Sequence, residues 1–259
     1  MFSSLKDLFK YRDLLLMLVA RNIKIRYKRS VLGFFWTLLN PLFLILIYAV
    51  FLKILKFFDA SDPKFLPMLV TGIIVWQFLA MCLGDSLFAV IGNANLITKT
   101  AFPRIILPLS MVIANLVNFL LSLVILAVYL LAIGPEVSNL WVLPFIILTQ
   151  FALCLGLALF LSSLNVFFRD TEHLLGVVML AWFFLTPIVY QFHHIPEPYQ
   201  RLAFLNPMTG IVTAYRHVFL SGDIMAPRLF SLSIAVAWAV CLGGIWFFQR
   251  LESRFADEL

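Results

Sequence analysis

Six stretches of this chain carry no Asp, Glu, Lys or Arg: residues 31–52, 65–84, 105–133, 137–168, 174–192 and 229–249. A helix needs about 20 mostly apolar residues to cross a bilayer, and each run has that length or nearly so. A large soluble protein can bury one such helix, but not six. Membrane barrels are built from short strands of alternating polarity, whereas these runs are continuous. The sequence therefore predicts an all-α, polytopic membrane protein with six transmembrane helices. Composition agrees, with 63% hydrophobic and 12% charged residues against roughly 25% charged in a soluble domain.

The net charge of +6 raises the question of nucleic acid, and the placement of the charge excludes it. The basic residues stand beside apolar runs, where the positive-inside rule accounts for them. With six spans both termini lie on one side, and 13 of the 19 Lys and Arg fall there, eight of them before residue 31. Both termini are thus expected in the cytoplasm and the chain in the cell inner (plasma) membrane. No cleavable signal peptide is expected, because the main basic cluster follows the first apolar patch instead of preceding it.

Along the chain, residues 3–25 read as an amphipathic interface helix. Leu5, Leu8, Phe9, Leu16, Val19 and Ile23 form its apolar stripe, and Lys6, Lys10, Arg12, Arg21 and Lys24 its polar flank. A cytoplasmic helix packed on a neighbouring subunit is the alternative. The spans are expected near 31–53, 65–90, 103–133, 140–164, 174–191 and 229–248. The domain plan is one membrane domain over 1–259: interface helix and basic linker at 1–30, and a six-span bundle at 31–249. Within the bundle an external region at 192–228 is broken by Pro and Gly and is too apolar for a solvated loop. It reads as re-entrant or interfacial helices, since irregular backbone at membrane depth must be shielded.

Signatures of chemistry are missing. The sequence has no phosphate-binding loop, no H-E-x-x-H and no G-x-S-x-G, so no catalytic residue and no metal site is assigned. His193 and His194, with Glu197 nearby, read as a polar interfacial cluster in preference to a metal site. Cys82, Cys154 and Cys241 have no ligand spacing and read as small packing residues. Asp85 is the one acid inside a predicted span; it is either a structural pair or an ion-coupling group. Gln77, Asn115, Asn118, Thr149 and Gln150 either bond helix to helix or line a polar conduit. The cluster NVFFRDTEH at 165–173 falls in a short cytoplasmic turn. Asp170 and Glu172 suit the start of the following helix by opposing its dipole.

Four segments carry a family likeness: IRYKRSVLGFFWTLLNP at 25–41, NANLITKTAFPR at 93–104, NVFFRDTEH at 165–173, and LNPMTGIVTAYRHVFL at 205–220 with LTPIVY at 185–190. In this order on six spans, the chain resembles the membrane subunit of ABC-2-type transporters that export polysaccharides such as O antigen, capsule or teichoic acid.

The resemblance implies a permease that is not itself an enzyme and holds no cofactor. Its ATP and Mg belong on a separate ATP-binding subunit, and a second copy of the chain completes a homodimer with the export channel between the copies. It also implies residue roles. Asn93, Asn95, Leu96 and Lys99 match the main coupling segment toward the ATPase, and Arg169, Asp170 and Glu172 the second, smaller contact. Pro196, Asn206, Pro207 and Tyr215 fall in the external gate. Phe34, Trp36, Tyr48, Trp76, Phe78, Trp182, Phe184 and Tyr190 are candidates to line a conduit over which a glycan slides, although aromatics also anchor spans at membrane interfaces. Arg26, Lys28, Arg29 and Arg104 stand where the diphosphate of a lipid-linked glycan would enter. The expected function is export of a lipid-linked, O-antigen-like polysaccharide. The alternatives are an ABC-2 permease for a drug or lipid, and a membrane enzyme or ATPase-independent carrier.

Overall fold

The structure is a computed structural model that describes residues 9–27, 65–133, 139–192, 195–220 and 227–259, with isolated helical positions at 36, 39, 42–43, 46–47, 50 and 54. The rest of the predicted first span lies outside the described residues, as do Lys28, Arg29, Phe34, Tyr48, His193 and His194. The described residues are mainly helical and contain no strand. In chain order the helices are α1 Arg12–Tyr27, α2 Phe65–Leu87, α3 Ala94–Lys99, α4 Ile106–Ile133, α5 Leu143–Phe167, α6 Thr171–Leu185, α7 Glu197–Ala203, α8 Pro207–Leu220, α9 Pro227–Leu251 and α10 Phe255–Glu258.

Among the described residues, four helices are long and apolar enough to cross a membrane: Phe65–Leu87, Ile106–Ala132, Leu140–Phe167 and Phe230–Arg254. The predicted fifth span is different. Helix α6 has 15 residues, about 22 Å at 1.5 Å per residue, short of a hydrocarbon core of ~30 Å. It stops because Pro187 follows. A residue before proline is pushed out of the helical region, and Thr186 is extended at φ −99°, ψ 136°.

Helix α2 is the hub. It packs on α4, α5, α6 and α8, and 78% of its apolar window is buried. Polar side chains fasten α5 to it at two heights: Gln150 Nε2 donates to Val75 O at 2.8 Å and Asn165 Nδ2 to Leu87 O at 2.9 Å. In an apolar medium such bonds hold helices together where the hydrophobic effect does not. Helices α5 and α9 share the most extensive contact in the fold. It is possible because Gly156 and Gly244 bring the two backbones together: a Cβ on Gly244 would lie 2.7 Å from Gly156 Cα.

Of the predicted stripe, Val19 is buried, while Leu16 in α1 and Phe9 just before it face outward, 64% and 75% exposed. Leu18, outside that stripe, is buried as well, for a reason invisible to local periodicity: α1 lies along α4, with Asn22 Nδ2 donating to Ser110 Oγ at 3.1 Å. At its end Arg26 forms an ion pair with Asp85, which also accepts from Asn115 Nδ2 at 2.8 Å. Asp85, in the last turn of α2, thus stands in an ion pair with Arg26.

Candidate functional site: a groove between two helices and its two ends

Helices α2 and α6 meet loosely and leave a groove of about 510 Å³. Ile73, Trp76, Ala80, Leu175, Met179 and Phe183 make most of its wall, Gln77 adds an amide, and Glu172 stands where α6 begins. Trp76 meets Trp182 edge-on at 6.0 Å and Phe183 at 5.6 Å, and Phe183 meets Phe184 at 5.4 Å. The groove thus offers aromatic edges and few hydrogen-bonding groups.

The predicted conduit residues separate into groups. Trp76 lines the groove, and Trp182 packs behind it. Phe184 and Trp36 are exposed. Phe78 is buried on the other side of α2, stacked on Phe119 at 4.6 Å. Tyr190 is half-buried, and its hydroxyl donates to Phe184 O at 3.1 Å.

At one end of the bundle the two predicted coupling segments come together. After α2 the chain turns through Phe88–Val90 and a short 3₁₀ helix, Ile91–Asn93, into α3. Asn93 is buried and donates from Nδ2 to Ala89 O at 2.8 Å; Asn95 and Lys99 are exposed and Leu96 is half-exposed. On the second segment Arg169, Asp170 and Glu172 are all exposed. Asp170 occupies the N-cap position of α6 without a side-chain cap bond, and Glu172 lies in the first turn. Their contribution there is electrostatic, through the helix dipole.

The chain's last residues join the same end. Phe255 is fully buried, with its ring 5.3 Å from Phe248 and 6.2 Å from Phe167. Helix α10 packs on α3, and the Arg104 guanidinium donates to Glu252 O. Val90, Ile97, Ile106, Leu159 and Val166 complete this second apolar cluster.

The opposite end holds the predicted gate residues. Pro196 is the N-cap of α7, and Pro207 opens α8, where its missing N–H costs nothing. Asn206 is the junction: its Oδ1 accepts from Trp182 Nε1 at 2.8 Å and from the Met208 amide at 3.0 Å, and its Nδ2 donates to Thr186 Oγ1 at 2.9 Å. Tyr215 is fully buried, edge-on to Phe119 at 5.9 Å and stacked with Phe219, so it presents no face to the groove. Arg216, within the region expected on the external side, is the one buried charged side chain among the described residues. The signal for it was present: a single guanidinium inside the apolar helix IVTAYRHVFL.

Residues 13–220 match the ABC-2 type transporter family. The chain is 32% identical to the O-antigen export system permease protein RfbA of Klebsiella pneumoniae over 95% of each chain. It is 31% identical to the protein of the same name from Myxococcus xanthus over the full length of both. With the polysialic acid transport protein KpsM of Escherichia coli it shares 24% identity, over 80% of this chain and 81% of the other.

Proposed function

Because this chain belongs to the ABC-2 type transporter family, we propose that it is the membrane permease subunit of an ATP-driven exporter of a lipid-linked, O-antigen-like polysaccharide. It performs no covalent chemistry. ATP and Mg are bound by a separate ATP-binding chain, two copies of each assemble, and both termini of this chain face the cytoplasm, in the inner membrane. The substrate class rests on the relatives, which are named for O-antigen and polysialic acid export.

One geometric observation supports the mechanism. Each wall of the groove continues directly into one of the two proposed coupling segments: α2 into the turn and α3, and α6 out of residues 168–172. A push on α3 by the ATP-binding chain reaches α2 through a short connection. The same push at Arg169 and Asp170 reaches the base of α6. Asn165 on Leu87 O and the Phe255 cluster couple the two segments to each other. ATP binding favours one arrangement of the walls over the other, and only such differential binding can drive the cycle. The aromatic groove then gives a hydroxyl-rich chain faces to slide over, with few polar groups to hold it.

The test is a strain lacking this chain. Lipid-linked glycan should accumulate on the cytoplasmic side and surface glycan should disappear. Both should be restored by re-expression only when the ATP-binding chain is present, and the two chains should co-purify. Normal surface glycan in the deletion strain would overturn the reading.

A further inference from the structure

The break between α6 and α7 carries irregular backbone into the interior, where every carbonyl needs a donor. Thr186, Pro187 and Ile188 are all buried. Leu185 O accepts from Asn206 Nδ2 at 3.4 Å, and Thr186 O from the Ile188 amide at 2.7 Å. Two further carbonyls fall to a single side chain. Arg216 Nη2 donates to Ile188 O at 2.6 Å and Nη1 to Tyr190 O at 3.2 Å. Its Nε reaches across to Met68 O on α2 at 3.3 Å. One guanidinium therefore joins α8, α2 and the break. The fork shape of arginine suits this, since its donors point in fixed and divergent directions.

Two features set Arg216 apart from an ordinary structural arginine. First, among the described residues it has no acid partner. The ion pairs among the described residues are Arg12–Asp13 and Arg26–Asp85, so the charge of Arg216 rests on carbonyl dipoles. A carboxylate would be left as a second bare charge when the contact opened; a carbonyl is not, and water replaces it readily. Second, α2 leaves room for it. A Cβ on Gly72 would lie 2.9 Å from Arg216 Nη2 and 3.0 Å from Ile188 O.

We infer that Arg216 is the latch at the gate end of the groove: it positions residues 186–190 against α2 and α8 at rest and lets go of them during export. The break follows α6 without interruption, and Trp182 on α6 is bonded to Asn206 at the start of α8. A shift of α6 therefore pulls on the bonds that Arg216 makes. Arg216 touches no substrate in this scheme and acts through the segment it holds. The inference rests on the permease reading for its timing.

The test uses the full transporter with its ATP-binding chain in cells, with Val189→Cys, at a half-buried position in the break, as reporter. A membrane-impermeant maleimide is added from outside, and surface glycan is scored in the same cells. With Arg216 intact, labelling should be slow at rest and at least fivefold faster while export runs. Arg216→Met should label fast at rest with no further rise, and Arg216→Lys should fall between. Gly72→Ala keeps the charge and displaces the guanidinium. It should behave like Arg216→Met, and it replaces that variant if the latter does not accumulate. Resting rates unchanged in both Arg216→Met and Gly72→Ala would overturn the latch. So would a parent whose labelling is the same with and without export, because Arg216 would then be a fixed brace. In either case surface glycan that still depends on this chain leaves the permease reading standing. Surface glycan independent of the chain overturns the permease reading separately.

Discussion

Adjacent glycines on α9 provide an internally controlled test of how the bundle is held. A Cβ added at Gly243 meets nothing within 4 Å. One added at Gly244 lies 2.6 Å from the Gly156 carbonyl carbon and 2.7 Å from its Cα, with the oxygen nearer still. All three are backbone atoms and cannot rotate away. Restoring ordinary contact parts α5 and α9 by roughly 1 Å, enough to forfeit a quarter to a half of the dispersion well across that crossing. Overpacking of this kind costs about 1–3 kcal/mol. Alanine in a helix interior is worth about 1 kcal/mol over glycine, a gain both variants share. Gly243→Ala should thus be up to ~1 kcal/mol more stable, and Gly244→Ala up to about 2 kcal/mol less stable. Because the alanine gain is shared, the gap between them is the overpacking cost of about 1–3 kcal/mol, roughly a 5- to 150-fold difference in unfolding constant. The measurement is reversible detergent unfolding in mixed micelles, followed by the fluorescence of Trp246 on the same helix. Gly156→Ala combined with Gly244→Ala should be non-additive, because both act on one crossing. Equal stability of the two single variants would refute backbone contact between α5 and α9.

Three further outcomes follow from the same geometry. Reversing charge at both Arg169 and Asp170 should abolish stimulation of the partner's ATPase and export while leaving membrane insertion intact; unchanged stimulation and export would remove the second contact from the mechanism. Asp85→Asn should cost only about 1 kcal/mol of stability, as expected for a partly exposed pair, and leave the pH profile of export unmoved; loss of a pH-dependent step would restore the ion-coupling role. Phe255→Ala removes a fully buried ring, worth about 3–5 kcal/mol, and should free α3, read as faster hydrogen exchange at 94–99. Exchange unchanged from the parent would show that the tail does not brace the coupling segment.

Much of the architecture was legible in the residues. Long runs free of charge force helices that cross or enter a bilayer, because a charge at that depth is costly and an unpaired backbone more so. Apolar residues between prolines at 192–228 were equally visible, and helices α7 and α8 occur there, although neither re-entry into the membrane nor spanning by six helices is something the described residues carry. What the sequence concealed was partnership. Spacing alone gave the stripe of α1, and it did not show that α4 packs along this helix or that Leu18 is buried beside Val19. Tyr215 and Phe78 looked like the other aromatics of their helices, yet they pack inward, where Phe119 lies. Gly243 and Gly244 are identical in sequence, and only the position of Gly156 tells them apart. Nothing in the sequence around Asp85 showed that Arg26, distant in the chain, is its ion-pair partner.

Local chemistry thus determined which segments are helical and where they end, because hydration and backbone geometry act on each residue where it stands. Thr186-Pro187 ends α6 for that reason, with no help from the fold. The tertiary structure decided which polar group answers which. The carbonyls of Ile188 and Tyr190 needed donors under any arrangement, but that one arginine on α8 supplies both, beside a glycine on α2, depends on three elements converging. Such convergence is a property of distances in space, which neither composition nor periodicity encodes.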